Sequence, residues 1–141
     1  MKHPVSLAVV ILAALLGFSS SQAQTRKGDL STIVMNVVSG GIADGMTIEL
    51  YEVSGENPRK IAQVATGADG RADVIANGPL PLGKYELRFL VGDYLRKQGT
   101  AAGNPAFLDF VPIRFAITDP TGHYHIPLIF WPWGYTTYRG S

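Results

Sequence analysis

Short segments in which apolar and polar residues alternate, separated by turns rich in glycine, proline and aspartate, recur along this 141-residue chain. A period of two residues is typical of strands that bury one face, whereas helices repeat about every 3.6 residues. Seven or eight such strands predict an all-β, two-sheet sandwich. The segments cover residues 31–38, 46–53, 60–66, 71–75, 84–91, 111–118 and 124–130, and a corner at 131–134 precedes a possible further strand.

Two local patterns refine this prediction. The dipeptide Asp69-Gly70 is a strong turn signal, so the flanking segments at 60–66 and 71–75 are predicted to form a hairpin. Residues 92–99 are the exception to the extended pattern, because Asp93 is a candidate N-cap and Gly99 a candidate helix end. We therefore expect one short helix within the sandwich.

The first 23 residues have the pattern of a secretory signal peptide. A basic start precedes an apolar run at residues 5–18, and small residues at 21–23 offer a cleavage site. The run is short for a membrane span, although an uncleaved anchor is the alternative. We expect a leader at 1–23, a mature domain at 24–141, and an exported, periplasmic protein that has no membrane attachment after cleavage.

Charge and cysteine content exclude several classes of function. The chain has 12 basic and 11 acidic residues, and loss of Lys2 with the leader would leave the mature chain formally neutral. A neutral surface argues against nucleic acid or an anionic membrane as the partner. The absence of cysteine removes disulfides, thiolate catalysis and cysteine metal sites.

His123 and His125 are the only histidines outside the predicted leader. Their spacing of two residues predicts that both side chains lie on the same face of a strand. They could be ordinary half-exposed strand residues, two ligands of a zinc site that lacks a third histidine or cysteine, or groups for general acid–base catalysis. The spacing alone leaves these three interpretations open.

Arg71 begins a predicted strand directly after the Asp69-Gly70 turn. Such an arginine is usually a solvated surface charge, but a guanidinium can also hold a planar anion through two hydrogen bonds. The sequence contains neither a glycine-rich phosphate loop nor a nucleophile elbow, so serine-based covalent catalysis has no local support.

Six blocks, in order along the chain, resemble the transthyretin-related proteins, and in particular the 5-hydroxyisourate hydrolases of urate breakdown. The terminal tetrapeptide is the most specific block, because in this family it separates the hydrolases from the hormone carrier transthyretin. The blocks are Leu30-Ser31, Thr66-x-x-Asp69-Gly70-Arg71, Gly83-x-Tyr85, Gly92-Asp93-Tyr94, His123-Tyr124-His125-x-Pro127-Leu128 and Tyr138-Arg139-Gly140-Ser141.

The resemblance implies a transthyretin-like sandwich that assembles as a homotetramer and opens the ring of an oxidised purine by hydrolysis, without a cofactor. Arg71 would bind the substrate and stabilise negative charge, and His125 would transfer protons. Tyr138 and Ser141 would line the site, with Ser141 among its catalytic groups. His123 would lie beside the substrate.

Position 33 departs from the family pattern, which places an active-site histidine in the first strand. This chain has Ile33 there, and isoleucine cannot transfer a proton. A lost acid–base group is typically worth about 10² to 10⁴ in rate, so the activity is expected to be weakened unless His123 is re-aimed. A non-catalytic protein that binds a small planar ligand is the alternative, since Ile33, Trp131 and Trp133 would make the cleft more apolar.

Overall fold

The computed structural model describes residues 27–78 and 80–141, so the predicted leader lies outside the described residues. Within these ranges no helix is both long and apolar enough to cross a membrane. The elements are β1 (Gly28–Asn36), β2 (Gly41–Ile42), β3 (Thr47–Glu52), β4 (Arg59–Ala65), β5 (Arg71–Gly78), β6 (Gly83–Phe89), α1 (Val91–Gln98), β7 (Val111–Ile117), β8 (His123–His125), β9 (Leu128–Trp131) and β10 (Gly134–Thr137).

These strands form two sheets. The smaller sheet has the antiparallel order β4-β3-β6-β7. The larger sheet is built around β1, which pairs in parallel with β8 and β9 on one side and antiparallel with β5 and β2 on the other, while β10 pairs with β9. The predicted all-β sandwich with one short helix is confirmed.

The strand predicted at 124–130 is divided into β8 and β9. Pro127 has no N–H group to donate to a ladder, so it interrupts pairing along this side of β1. The buried hydroxyl of Thr32 donates to the carbonyl oxygen of Ile126 at 2.7 Å, which satisfies the backbone at the break. β1 therefore remains continuous while its neighbour bends.

The core lies between the two sheets, and β1 shows why. Its side chains alternate strictly between buried and partly exposed, with Leu30 and Val34 fully buried. These two residues share one apolar cluster with Ile48 of β3 and Leu87 of β6. Full burial of each such side chain contributes about 1.5–3 kcal/mol. This burial fixes which side of β1 faces inward, and thus which side chains face outward.

The predicted hairpin of residues 60–66 and 71–75 is wrong. β4 pairs with β3 of the smaller sheet, whereas β5 pairs with β1 of the larger sheet. The backbone N–H of Thr66 donates to Met46, but the carbonyl oxygen of Gly70 accepts from Val34 of β1 at 2.9 Å. The Asp69-Gly70 turn therefore carries the chain from one sheet to the other, because each flanking segment finds its hydrogen-bond partners in a different sheet.

The helix ends where predicted, but it does not begin as predicted. Leu90 occupies the N-cap position, and its side chain makes no capping hydrogen bond. Asp93 lies in the first turn, where its carboxylate pairs with Arg96 and interacts favourably with the helix dipole. Gly99 ends the helix in the left-handed conformation, at φ 69°. The capping role predicted for Asp93 is therefore wrong, and that predicted for Gly99 is confirmed.

Candidate active site on the outer face of the larger sheet

The outward side of β1 carries Asp29, Ser31 and Ile33, which alternate with the buried core residues. Residues that are directly paired on neighbouring strands project to the same face and have Cβ atoms about 4.5–5.5 Å apart. The register of β5, β1 and β8 therefore arranges six polar side chains and Ile33 in three rows, which we call the outer-face site. The rows are Asp29 with His123, Asp73 with Ser31 and His125, and Ile33 with Arg71.

Arg71 is positioned by the turn that precedes β5. Gly70 has a φ of 72°, a left-handed conformation that disfavours residues with a Cβ atom. The backbone N–H of Arg71 donates to Asp69 Oδ1 at 3.0 Å, which closes the turn. The Arg71 side chain is exposed and forms no salt bridge with any residue in the described part of the chain. Its guanidinium donors are therefore free to bind an anion.

His125 is partly buried beside Ser31, whose Oγ lies 2.9 Å from His125 Nδ1. Burial lowers the pKa of the imidazole, the positive charges of Arg71 and His123 lower it further, and the carboxylate of Asp29 partly opposes them. The net effect favours the neutral ring. In the tautomer whose Nδ1–H donates to Ser31 Oγ, His125 can accept a proton through Nε2.

His123 lies on the same face as His125, as their spacing predicts. The two rings are parallel, at an interplanar angle of 3°, with centroids 6.4 Å apart. His123 Nδ1 lies 2.7 Å and 2.6 Å from the two carboxylate oxygens of Asp29. At this ring separation the imidazoles do not bond to one another directly, so a proton passing between them needs an intervening group.

The C-terminal tail packs directly onto His125. The backbone N–H of Gly140 donates to the His125 carbonyl oxygen at 2.7 Å, and the two residues form an isolated antiparallel bridge. A Cβ atom at position 140 would lie 2.6 Å from His125 Cδ2. Only glycine fits this contact without movement of the ring. The tail thereby brings Ser141, the next residue, to the neighbourhood of His125.

Tyr138 lies elsewhere. Its side chain is exposed and lines a cavity of about 270 Å³ between β7 and the tail. Phe115 and Ile126 form part of the apolar wall, and the Arg139 guanidinium lies 5.0 Å from the centre of the Tyr124 ring. Of the predicted site residues, the structure therefore gathers Arg71, His123, His125 and Ile33 on the outer face, while Tyr138 faces a separate opening at the sheet edge.

Three polar residues of the outer face were not predicted as site residues. Asp29 and Asp73 pair in register with His123 and Ser31 respectively, and Ser31 also pairs with His125. The alternation of β1 would have identified Asp29 and Ser31, because they share parity with Ile33. The partners across β1 depend on strand pairing, which local patterns do not specify.

A zinc site needs a third protein ligand beside the two histidines. Within residues 27–78 and 80–141, no three histidine, cysteine, aspartate or glutamate side chains are grouped so that they could hold a metal ion. The arrangement of the outer-face site instead suits an anionic or carbonyl-containing organic molecule, since it offers an unpaired guanidinium and a neutral imidazole.

Residues 30–140 match the HIUase/Transthyretin family. A 5-hydroxyisourate hydrolase of Mesorhizobium japonicum is 48% identical over 124 residues, which cover 84% of this chain and 99% of that protein. A structure of 5-hydroxyisourate hydrolase from Klebsiella pneumoniae has a TM-score of 0.69 and 32% identity, with coverage of 81% of this chain and 99% of the other.

A crystal structure of (S)-allantoin synthase has a TM-score of 0.73 and 37% identity. The match covers 82% of this chain but only 44% of the synthase chain, so this domain corresponds to less than half of that protein. Together, the sequence and structural similarities span the strands that build the outer-face site. The likeness predicted from the six motif blocks is confirmed.

Proposed function

This chain belongs to the HIUase/Transthyretin family, and we propose that it hydrolyses 5-hydroxyisourate, an oxidised purine, at the outer-face site. One observation carries the proposal: Arg71 and His125 project from one face of the larger sheet, with Gly140 of the C-terminal tail packed against His125. The relatives named as 5-hydroxyisourate hydrolases support the same substrate.

Ring opening at this site needs only water as co-reactant. The water oxygen attacks the carbonyl carbon of the cyclic amide, while the neutral ring of His125 takes the proton that the water loses. Negative charge develops on the carbonyl oxygen, and the Arg71 guanidinium stabilises it. The C–N bond of the ring then breaks as the ring nitrogen takes up a proton. The product is an open-chain carboxylic acid, and no covalent bond to the protein forms.

Ile33 makes this site less polar than the family pattern. It lies directly opposite Arg71 in the β1–β5 ladder, so an apolar side chain stands where the family has a histidine. Isoleucine leaves the guanidinium in place but supplies no proton transfer. The proposed enzyme therefore binds and polarises its substrate through Arg71 but depends on the β8 histidines for acid–base chemistry.

Freshly generated 5-hydroxyisourate, followed by ultraviolet absorbance with and without the protein, tests this function. The protein should accelerate the decay above the spontaneous rate, and an Ile33→His variant should accelerate it further, since it adds an acid–base group. Decay at the spontaneous rate in the wild type would contradict the proposal. Activity in Ile33→His alone would instead indicate a decayed catalytic site.

We also propose that the protein assembles as a homotetramer. The larger sheet ends at β10 and the smaller at β7, and in the described chain neither strand has a partner on its outer side. Exposed strand edges readily pair with another chain. Sedimentation at the mass of four chains would support the proposal, whereas a stable monomer would contradict it.

Export to the periplasm is the third part of the proposal, and it rests on the leader pattern of residues 1–23. Expression in a Gram-negative host should yield a periplasmic protein that lacks these residues. Mass spectrometry of the purified protein measures the cleavage, and an intact N-terminus in the cytoplasmic fraction would contradict it.

A further inference from the structure

The proposed ring opening needs a proton donor as well as a proton acceptor. His125 accepts the proton of the attacking water, and the ring nitrogen must receive another when the C–N bond breaks. Ile33 cannot supply it. Of the described residues on this face, His123 is the remaining imidazole, and its ring is parallel to that of His125.

The carboxylate of Asp29 holds His123 by one edge. Both of its oxygens lie within 2.7 Å of Nδ1, so the proton of the neutral ring belongs on Nδ1 and the lone pair on Nε2. When His123 is protonated, the contact becomes a charge-assisted hydrogen bond. In either state Nε2 is left to exchange protons with a ligand.

The Asp29–His123 pair contributes little to the stability of the fold. The side chains of His123 and Asp29 are 53% and 37% exposed, and exposed ion pairs typically contribute only about 0–1 kcal/mol. The pair borders an open pocket of about 400 Å³, which is lined by polar groups and has room for water or the edge of a ligand.

Two other charged groups line this pocket, Lys27 and Asp119. The carboxylate of Asp119 is already engaged, since its Oδ1 accepts hydrogen bonds from the backbone N–H and the hydroxyl of Thr121, at 2.9 and 2.8 Å. Asp29 is therefore the carboxylate that orients the His123 ring.

We propose that Asp29 and His123 form a carboxylate–imidazole dyad that donates the proton to the leaving ring nitrogen, with His123 as a catalytic residue and Asp29 as a positioning residue. This inference rests on the proposed function. His125 takes a proton from water while protonated His123 gives one to nitrogen, and exchange with solvent resets both rings.

The variants Asp29→Asn and His123→Gln test the dyad, with Asp119→Asn as the matched control in the same pocket. We expect each of the first two to lower kcat by about 10- to 100-fold with little change in KM. The double variant should be no slower than the slower single variant, because the two residues act as a unit. Asp119→Asn should retain wild-type kinetics. A kcat that matches that of Asp119→Asn in both Asp29→Asn and His123→Gln would overturn the proposal and leave only a surface ion pair.

Nitrogen-15 NMR of His123 separates this proposal from the proposed function. The neutral ring should carry its proton on Nδ1 in the wild type, and this preference should be lost in Asp29→Asn. An Nε2–H tautomer in the wild type would overturn the dyad even if the protein hydrolyses its substrate. The Nδ1–H tautomer in a protein without hydrolysis would overturn the proposed function, and the catalytic role with it.

Discussion

The outward faces of the two sheets both carry arginines, but they use them differently. On the smaller sheet, Glu86 is almost fully buried and accepts hydrogen bonds from Arg88 and Arg114, each at 2.6 Å. On the larger sheet, Arg71 is exposed and has no carboxylate partner among the described residues. The first face pairs its charges internally, whereas the second leaves its guanidinium free.

The pKa shifts of Glu86 and His125 also differ between the two sheets. Burial alone would raise the pKa of Glu86, but hydrogen bonds from Arg114 and Arg88 outweigh it and hold the pKa below its ordinary value. On the larger sheet, burial and the cation of Arg71 lower the pKa of His125 and so favour its uncharged form. A face with internally paired ions contributes to folding, while a free cation beside a neutral base is suited to chemistry on a ligand.

Removal of Arg71 should have the largest effect on activity. The variant Arg71→Ala should lower kcat/KM by about 10² to 10³, the typical loss for one donor to a developing oxyanion. Because the side chain is exposed, unfolding free energy should change by no more than about 0.5 kcal/mol. Arg59→Ala is the matched control, since Arg59 is also exposed and begins a strand of the smaller sheet. Equal losses of activity in both variants would show that Arg71 has no special part in the reaction.

Removal of the Glu86 charge should have the opposite result, a loss of stability without a loss of activity. Glu86→Gln should lower the unfolding free energy by about 2–3 kcal/mol, less than for a fully buried pair because Arg114 reaches solvent, and it should leave kcat/KM unchanged. Urea unfolding measures the loss. Glu52→Gln breaks the more exposed pair with Arg59 and should cost about 1 kcal/mol or less. Equal costs would show that burial of Glu86 adds nothing.

A methyl group added at Gly140 of the C-terminal tail should disturb only the larger sheet. Gly140→Ala places a Cβ atom against Cδ2 of His125, so the ring must move and kcat/KM should fall by about tenfold. Gly41→Ala is the control, because the nearest atom to a Cβ there lies 3.9 Å away. Unchanged kinetics in Gly140→Ala would mean that the tail does not position the ring.

The smallest expected effect is on the titration of His125. Because burial and then Arg71 lower its pKa, Arg71→Ala should move the midpoint upward, as measured by proton NMR of the ring, while Arg59→Ala should leave it in place. The folded protein binds fewer protons at this ring than the unfolded chain. Its contribution to stability is therefore complete above the unfolded-state pKa and declines as pH falls towards the lower folded-state pKa. A downward or absent shift in Arg71→Ala would contradict this.

The sequence predicts the strands and the two-sheet architecture better than it predicts which strands pair. Alternation identifies the strands and puts His123 and His125 on one face, because side-chain direction is a local property of an extended chain. The hairpin across Asp69-Gly70 was wrong because a turn reverses the chain without deciding which sheet accepts the next strand. That choice depends on the distant hydrogen-bond groups of β1.

Prediction of the outer-face site from the sequence is limited in the same way. Arg71, His125 and the departure at Ile33 could be predicted from motifs, since each lies within a short recognisable block. Asp29 and Ser31 could not be assigned partners, because their contacts to β8 cross 94 residues of sequence. Tyr138 belongs to the same tetrapeptide as Gly140, yet Tyr138 lines the cavity beside β7 whereas Gly140 bridges to His125, a difference that the motif itself does not reveal.

The parallel pairing of β1 with β8 also governs the order in which the molecule can assemble. Contacts of such high sequence separation carry a large loop-closure entropy and form slowly, whereas β3 with β4 and β6 with β7 join strands close in the chain. During refolding, the smaller sheet can therefore gain its pairings while Asp29 and Ser31 still lack their histidines. Recovery of catalysis would then report the closing of the whole sandwich and lag behind the first appearance of strand structure.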